Sequence, residues 1–384
     1  MNLLKRWIRR KRFWIAVGLL LFIWINNTSL FIGNHHEDEG PKLLAHRGLA
    51  QTFSMENIQN DTCTAERIYE PEHPYLENTI SSMRAAFLAG ADMVELDVKP
   101  TKDGQFAVFH DWTLECRTNG QGKTVDYTMA ELKLLDIGYG YTADGGATYP
   151  FRGKGTNLMP SLTEVLRQFP DQNFLLHIKS NDAEEGVQLA EYFSGMSREK
   201  LERYTVYGGD EPIAALKEKL PDMRAMSKET LKECLISYEA SGWTGYIPSA
   251  CRNTELHIPE KIAPWIWGWP DKFLSRMERA DTRVIVVGGD GSDFSSGFDS
   301  LEDVKRLPSS YSGWIWTNRI DRLASLKADL DQLNRMSSTC RCGFYLTNSG
   351  RSCILSNNKL ILIKMLRPRP HRLSFAITER NSAG

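Results

Sequence analysis

The chain has 384 residues, 41% hydrophobic and 25% charged, with a formal net charge of −1, so it can bury one large core or two ordinary ones. The near-zero charge is unevenly laid out: residues 1–12 carry six cations and no acid, residues 335–384 carry nine cations against Glu379 alone, and the stretch between them, 13–334, is left at −15. An acidic body excludes extended contact with nucleic acid, which requires basic surface, and an anionic substrate would need a local cation, either bound metal or arginine and lysine within the site.

The amino terminus reads as a targeting element. Six cations precede the apolar run FWIAVGLLLFIWI (13–25), and no small-x-small cleavage signal follows. Residues 13–32 are long enough to cross a bilayer, and positive flanks stay cytoplasmic. The expectation is an uncleaved transmembrane anchor over 13–32, with a cleaved signal sequence as the alternative, residues 1–12 cytoplasmic and the body outside the cytoplasm. A polar linker fills 33–41.

From residue 42 onward, short apolar runs alternate with helical patterns. Strands are expected near 42–45, 93–97, 105–109, 173–178, 204–207, 244–248, 284–287 and 313–317, with a further short one near 223–226. Helices are expected near 79–89, 161–169, 183–193, 211–220, 228–240 and 271–279. This alternation implies a parallel sheet with helical crossovers. No glycine-rich phosphate turn follows the first strand, which argues against a doubly wound sheet. Polar residues recur at strand carboxyl ends (His46, Asp97, His110, Lys179), where a (β/α)₈ barrel keeps its site. The expected fold is therefore an α/β TIM barrel over 42–330. Two long loops, 49–76 and 112–160, are expected to shape or cover its mouth. Residues 335–384 break the pattern and read as a disordered or atypical basic tail.

Seven cysteines are present and none shows zinc-ligand spacing. An exported location permits disulfides; Cys234 and Cys251 form one candidate pair, with isolated buried thiols the equal alternative.

The chemistry concentrates in residues 93–111. Glu95 and Asp97 are two apart in a strand-like run, so their carboxylates share a face. His46-Arg47 and His110-Asp111 close two other strands. Paired carboxylates are hard oxygen donors for Mg²⁺ or Ca²⁺, which would neutralise phosphate charge. His46 and His110 titrate near neutrality and suit acid–base work. Arg47 can donate a fork to phosphate and Lys179 can add a point charge. Glu77 and Asn78 divide between substrate contact and capping of the helix that follows. Trp265, Trp267 and Trp269 alternate, and read either as packing or as the wall of a pocket for the alcohol portion. Asp111 reads as a loop-orienting residue.

In order and spacing, His46-Arg47-Gly48, Glu77-Asn78-Thr79, Gly90-Ala91-Asp92 leading to Glu95-Leu96-Asp97, Thr101-Lys102-Asp103-Gly104 and His110-Asp111 resemble the glycerophosphodiester phosphodiesterase family. Arg117-Thr118 with Gly120, Pro160-Ser161-Leu162-Thr163-Glu164-Val165-Leu166, Ile178-Lys179 and Trp316-Thr317-Asn318 are similar to its later blocks. The resemblance covers roughly 42–322. It implies a TIM barrel, a divalent metal, two acid–base histidines, and hydrolysis of glycerophosphodiesters to glycerol 3-phosphate and an alcohol, with lysophospholipids as a further substrate class. Two positions depart from the family pattern. His177 stands where the family has a metal-binding glutamate; as a ligand it would move preference toward Zn²⁺ or Mn²⁺. Asn318 stands where an aspartate is common, and reads as structural. Two other readings stay open: a phospholipase D-like transferase that releases a cyclic phosphate, and a catalytically silent phosphodiester-binding module.

Overall fold

The computed structural model describes residues 2–28, 40–59, 61–291 and 296–323, together with four short strands further on. The chain divides into two units, Met1–Ser325 and Leu326–Gly384. In the second unit, Leu346–Thr347 pairs antiparallel with Gly350–Arg351, and Ile361–Ile363 with Ile377–Glu379. The remainder of the expected basic tail lies outside the described residues.

The first unit is built on nine strands: β1 (Lys42–His46), β2 (Met93–Pro100), β3 (Phe106–Val108), β4 (Asn173–Ile178), β5 (Tyr204–Gly208), β6 (Arg224–Ser227), β7 (Glu255–Pro259), β8 (Arg283–Val287) and β9 (Trp314–Thr317). Eight of them run parallel in the order β6-β5-β4-β2-β1-β9-β8-β7, and β3 folds back antiparallel on the end of β2. β6 and β7 lie side by side without a ladder, so the barrel is nearly closed. Helices between the strands cover its outside, in the manner of a TIM barrel.

Strand alternation sorts the side chains. Leu43, Ala45, Val94, Leu96, Val98, Phe174, Leu176 and Ile178 point outward into the layer beneath the helices. Leu44, Met93, Leu175, Ile285 and Trp316 form the inner cluster. The inward set continues toward the carboxyl ends as His46, Glu95, Asp97, His177 and Tyr207. Register aligns them, His46 with Glu95, and Asp97 with His177, which in turn pairs with Tyr207.

Most expected elements are present, including helices Ala183–Phe193 and Asp271–Arg279 at the expected bounds. The strand expected at 244–248 is not one: a short 3₁₀ turn, Gly242–Thr244, ends at its first residue, and the strand is Glu255–Pro259. Its inward residues are Glu255 and His257, paired to each other at 2.7 Å, so a buried strand presents a polar sequence.

The transmembrane expectation finds no support among the described residues. The helix is Asn2–Asn27, with six cations in its first half, and no described helix is long and apolar enough to cross a membrane. Thirteen apolar residues at 1.5 Å each reach about 20 Å, against a hydrocarbon core of about 30 Å. Residues 29–32 of the expected span lie outside the described residues. The helix ends on the barrel: Arg276, buried, donates to Asn26 O at 2.7 Å and to Asn27 Oδ1 at 3.1 Å.

Candidate active site

Each site residue has a local reason for its position. After His46 the chain turns sharply, with Arg47 at φ 57° and Gly48 at φ 80°. A Cβ on Gly48 would stand 2.7 Å from Ser82 Oγ and 2.8 Å from the Ser82 carbonyl carbon, so only glycine fits against the start of helix Ile80–Ala89. That helix is capped by Thr79, which exchanges side-chain and backbone hydrogen bonds with Ser82. Asn78 is thereby released from capping and bound into the site. Its Nδ2 donates to Asp97 Oδ2 at 2.9 Å, and its Oδ1 accepts from the Asp97 backbone N–H at 3.2 Å.

Glu95 and Asp97 are fully buried. Glu95 accepts from the Tyr207 hydroxyl at 2.9 Å and from the Arg47 backbone N–H at 3.2 Å. Burial and neighbouring Asp97 push its carboxyl well above the usual carboxylate range. Burial acts in the same sense on Asp97, but Arg47, His110 and His177 outweigh it and hold that carboxyl well below its ordinary value. Arg47 Nε lies 3.3 Å from Asp97 Oδ2, and its Nη1 donates to Glu77 at 3.0 Å.

The three histidines share one arrangement. Asn318 Nδ2 donates to Asp299 at 3.2 Å, which turns its Oδ1 toward His46 Nδ1 at 2.7 Å. His110 Nδ1 donates to Asp111 at 2.7 Å, and His177 Nδ1 to Asp97 at 2.9 Å. In each ring Nδ1 carries the hydrogen, which leaves the lone pair on Nε2. His46 Nε2 stands 3.9 Å from Glu95 Oε2, and His110 Nε2 receives Lys179 Nζ at 2.9 Å. Burial and Arg47 hold His46 neutral well into the acid range and lower His110 to about 4. Burial lowers Lys179 to about 8, so its ammonium persists at neutral pH.

All nine residues singled out in the sequence (His46, Arg47, Glu77, Asn78, Glu95, Asp97, His110, His177 and Lys179) therefore form one connected set at the carboxyl ends of β1, β2 and β4 and the loops beyond. Ligand atoms of Glu95, Asp97 and His177 lie within 4.8 Å of one another. Two buried carboxylates, one of them forced toward its protonated form, together with an imidazole, make a donor set that a divalent cation fits.

Some roles differ from expectation. Asp111 holds the His110 ring rather than loop backbone. Asn318 holds His46. Trp265 is exposed and Trp267 donates to Glu239 O at 3.1 Å; neither lines the cavity beside His46. Two residues were not singled out for the site. Tyr207 binds Glu95 and stacks on His177 with ring centroids 4.2 Å apart and planes 7° apart. Arg117 joins Glu77 at 3.1 Å to Asp111 at 3.5 Å. Arg117 had a signal, the Arg117-Thr118 block, whereas Tyr207 lies in an ordinary apolar strand sequence. The 49–76 segment walls one side of the cavity beside His46 and is fastened by a disulfide between Cys63 and Cys116; Cys234 and Cys251 are also joined.

Comparison with known proteins agrees with this geometry. Residues 46–236 match the model of the glycerophosphoryl diester phosphodiesterase family. A glycerophosphodiester phosphodiesterase of Caldanaerobacter subterraneus is 40% identical over 103 residues, which cover 27% of this chain and 39% of that protein. One from Bacillus subtilis is 32% identical over 180 residues, 46% of this chain and 53% of that protein. The chain thus spans about half the length, or less, of these curated relatives. Among solved structures, the glycerophosphoryl diester phosphodiesterase domain of an uncharacterized Mycobacterium tuberculosis protein aligns with a TM-score of 0.53 at 15% identity, covering 75% of this chain and 100% of that one, a likeness of fold. Through residues 46–236, the chain belongs to the glycerophosphoryl diester phosphodiesterase family.

Proposed function

We propose that this protein hydrolyses glycerophosphodiesters to glycerol 3-phosphate and an alcohol. The observation that carries the reading is the convergence of two Nε2 lone pairs, Arg47 and a two-carboxylate, one-imidazole donor set at one barrel mouth. A divalent cation held by Glu95, Asp97 and His177 would neutralise phosphate charge as a Lewis acid. His46, neutral with Nε2 unprotonated, takes the proton of the attacking hydroxyl or water. The P–O bond to the alcohol breaks as the new P–O bond forms. The Lys179 ammonium donates to His110 Nε2 and so holds the proton that passes through that imidazole to the departing alkoxide. Arg47 faces the phosphate, while Glu77, Asn78, Asp111, Arg117 and Asn318 hold the reacting side chains in place. Phosphorus NMR of the divalent-loaded protein with glycerophosphocholine in ¹⁸O-water tests this. The expected product is glycerol 3-phosphate bearing the label; an unchanged diester resonance rejects the proposal.

We also infer that the barrel works outside the cytoplasm. Two disulfides within one barrel support this reading, because such bonds persist in oxidising compartments. Alkylation of the native protein at harvest is expected to leave Cys63, Cys116, Cys234 and Cys251 unlabelled; their labelling would remove the support.

A further inference from the structure

The strand that carries the two site carboxylates continues past them. Period-two alternation along β2 turns Lys99 to the same face as Glu95 and Asp97, one pleat nearer the barrel rim. Register brings it beside the end of β4: Val98 pairs with Ile178, and Lys99 and Lys179 are the residues that follow each of them. Both ammoniums reach one aromatic ring, that of Trp112, early in the loop after β3. Lys99 Nζ is 4.5 Å from its centroid and Lys179 Nζ is 5.3 Å.

The two lysines differ in what else they meet. Lys179 donates to His110 Nε2 at 2.9 Å. Among the described residues the Lys99 ammonium takes no hydrogen bond or ion pair. Yet Lys99 is only 7% exposed, and its Nζ is not sealed from solvent. Withdrawing an ammonium from water without a counter-charge is costly, and an indole ring offsets only part of that. An anion arriving at the rim would complete the arrangement.

Trp112 is 36% exposed, and an exposed indole alone would suit a quaternary ammonium such as choline. Here two ammoniums already stand at the ring, so a third cation would meet like charge. A carboxylate or phosphate would instead accept a charge-assisted hydrogen bond from Lys99. The reacting phosphate belongs one pleat deeper, at Arg47 and the donor set of Glu95, Asp97 and His177. In the reaction proposed above the alkoxide leaves at His110, so its substituent emerges alongside Lys179, Trp112 and Lys99.

We propose that Lys99, Lys179 and Trp112 form the subsite for the departing alcohol, and that it selects alcohols bearing an anionic group, either a carboxylate or a second phosphate. The inference rests on the phosphodiesterase reading and adds to it the class of alcohol. Lys99 is the residue that determines this specificity.

The test compares kcat/KM within matched pairs of diesters, using the divalent-loaded full chain. Glycerophosphoserine differs from glycerophosphoethanolamine by one carboxylate, and glycerophosphoglycerol phosphate from glycerophosphoglycerol by one phosphate. The acidic member of at least one pair is expected to be preferred by about tenfold or more, the worth of a hydrogen bond to a charged group. Lys99→Met removes that preference, chiefly through KM; Lys99→Glu reverses it and Lys99→Arg retains it. The wild-type ratios test the alcohol class independently of any variant. Equal rates within both pairs, or a preference for glycerophosphocholine over all four, overturn the subsite alone. So does a loss in Lys99→Met that is the same for acidic and neutral diesters, which would place Lys99 on the reacting phosphate. Absence of turnover for every diester overturns the phosphodiesterase reading and this inference with it.

Discussion

Asn318 Oδ1 stands 2.7 Å from His46 Nδ1 and fixes which ring nitrogen bears the hydrogen. Because Asp299 takes both the side-chain N–H and the backbone N–H of Asn318, the amide cannot present its nitrogen to the ring. His46 is thus a neutral imidazole with its lone pair on Nε2. An aspartate at this position would make the imidazolium easier to form.

Asn318→Asp is therefore expected to raise the His46 pKa. The wild-type ring is held low by burial and by Arg47, so its base form survives into the acid range. In the variant the acid limb of the kcat/KM profile moves to higher pH, by about one unit or more. A limb that stays in place, or moves to lower pH, contradicts the assignment of His46 as base.

His110 provides a second titration. Burial and Arg47 hold it to about 4, while its bond to Asp111 works in the opposite sense. The ring should stay neutral in NMR spectra of the metal-free protein until the pH falls to about 4. Asp111→Asn removes a carboxylate that favours the charged form, so the midpoint moves lower still. A rise in that variant would mean that Asp111 does not orient and charge-stabilise this ring.

For the divalent ion proposed at Glu95, Asp97 and His177, the preference would follow from His177. With one imidazole and two carboxylates, the donor set favours Mn²⁺ or Zn²⁺ over Ca²⁺. His177→Glu, with a third hard oxygen donor, is expected to gain affinity for Ca²⁺ and Mg²⁺ relative to Mn²⁺ in calorimetric titrations. Tyr207→Phe leaves Glu95 without its hydroxyl partner and should weaken binding of any divalent ion by about tenfold. Equal calorimetric affinities in wild type and both variants would exclude His177 from the ion site and Tyr207 from supporting it.

The disulfide between Cys63 and Cys116 closes a loop with a sequence separation of 53. Its loss in Cys63→Ser/Cys116→Ser is expected to destabilise the fold by about 4 kcal/mol in the chain-entropy description. Because it fastens the cavity wall, KM for the diester should rise more than kcat falls. Unaltered urea midpoint and KM would show that the wall is held by its backbone bonds alone.

Much of this site was legible before any coordinates. His46-Arg47-Gly48, Glu95-Leu96-Asp97 and His110-Asp111 each lie in or just after an apolar strand, and period-two alternation turns His46, Glu95 and Asp97 inward. What escaped has a physical cause. β7 was displaced because its inward Glu255 and His257 satisfy each other inside the barrel, so a buried strand carries a polar face. Tyr207 acts only through register, opposite His177, which no local spacing reveals. The tether of Cys63 to Cys116 joins loops from different strands. Asn78 resembled a helix cap because its neighbour Thr79, the actual cap, stands one residue further on.

The most direct test is release of glycerol 3-phosphate from glycerophosphocholine by the full chain, with and without EDTA treatment and in His46→Ala and His110→Ala. The account predicts turnover that EDTA abolishes and added Mn²⁺ or Mg²⁺ restores, with each alanine variant slower by about 10² to 10⁴ at unchanged melting temperature. Turnover indifferent to EDTA, or near-normal rates in both variants, would contradict it.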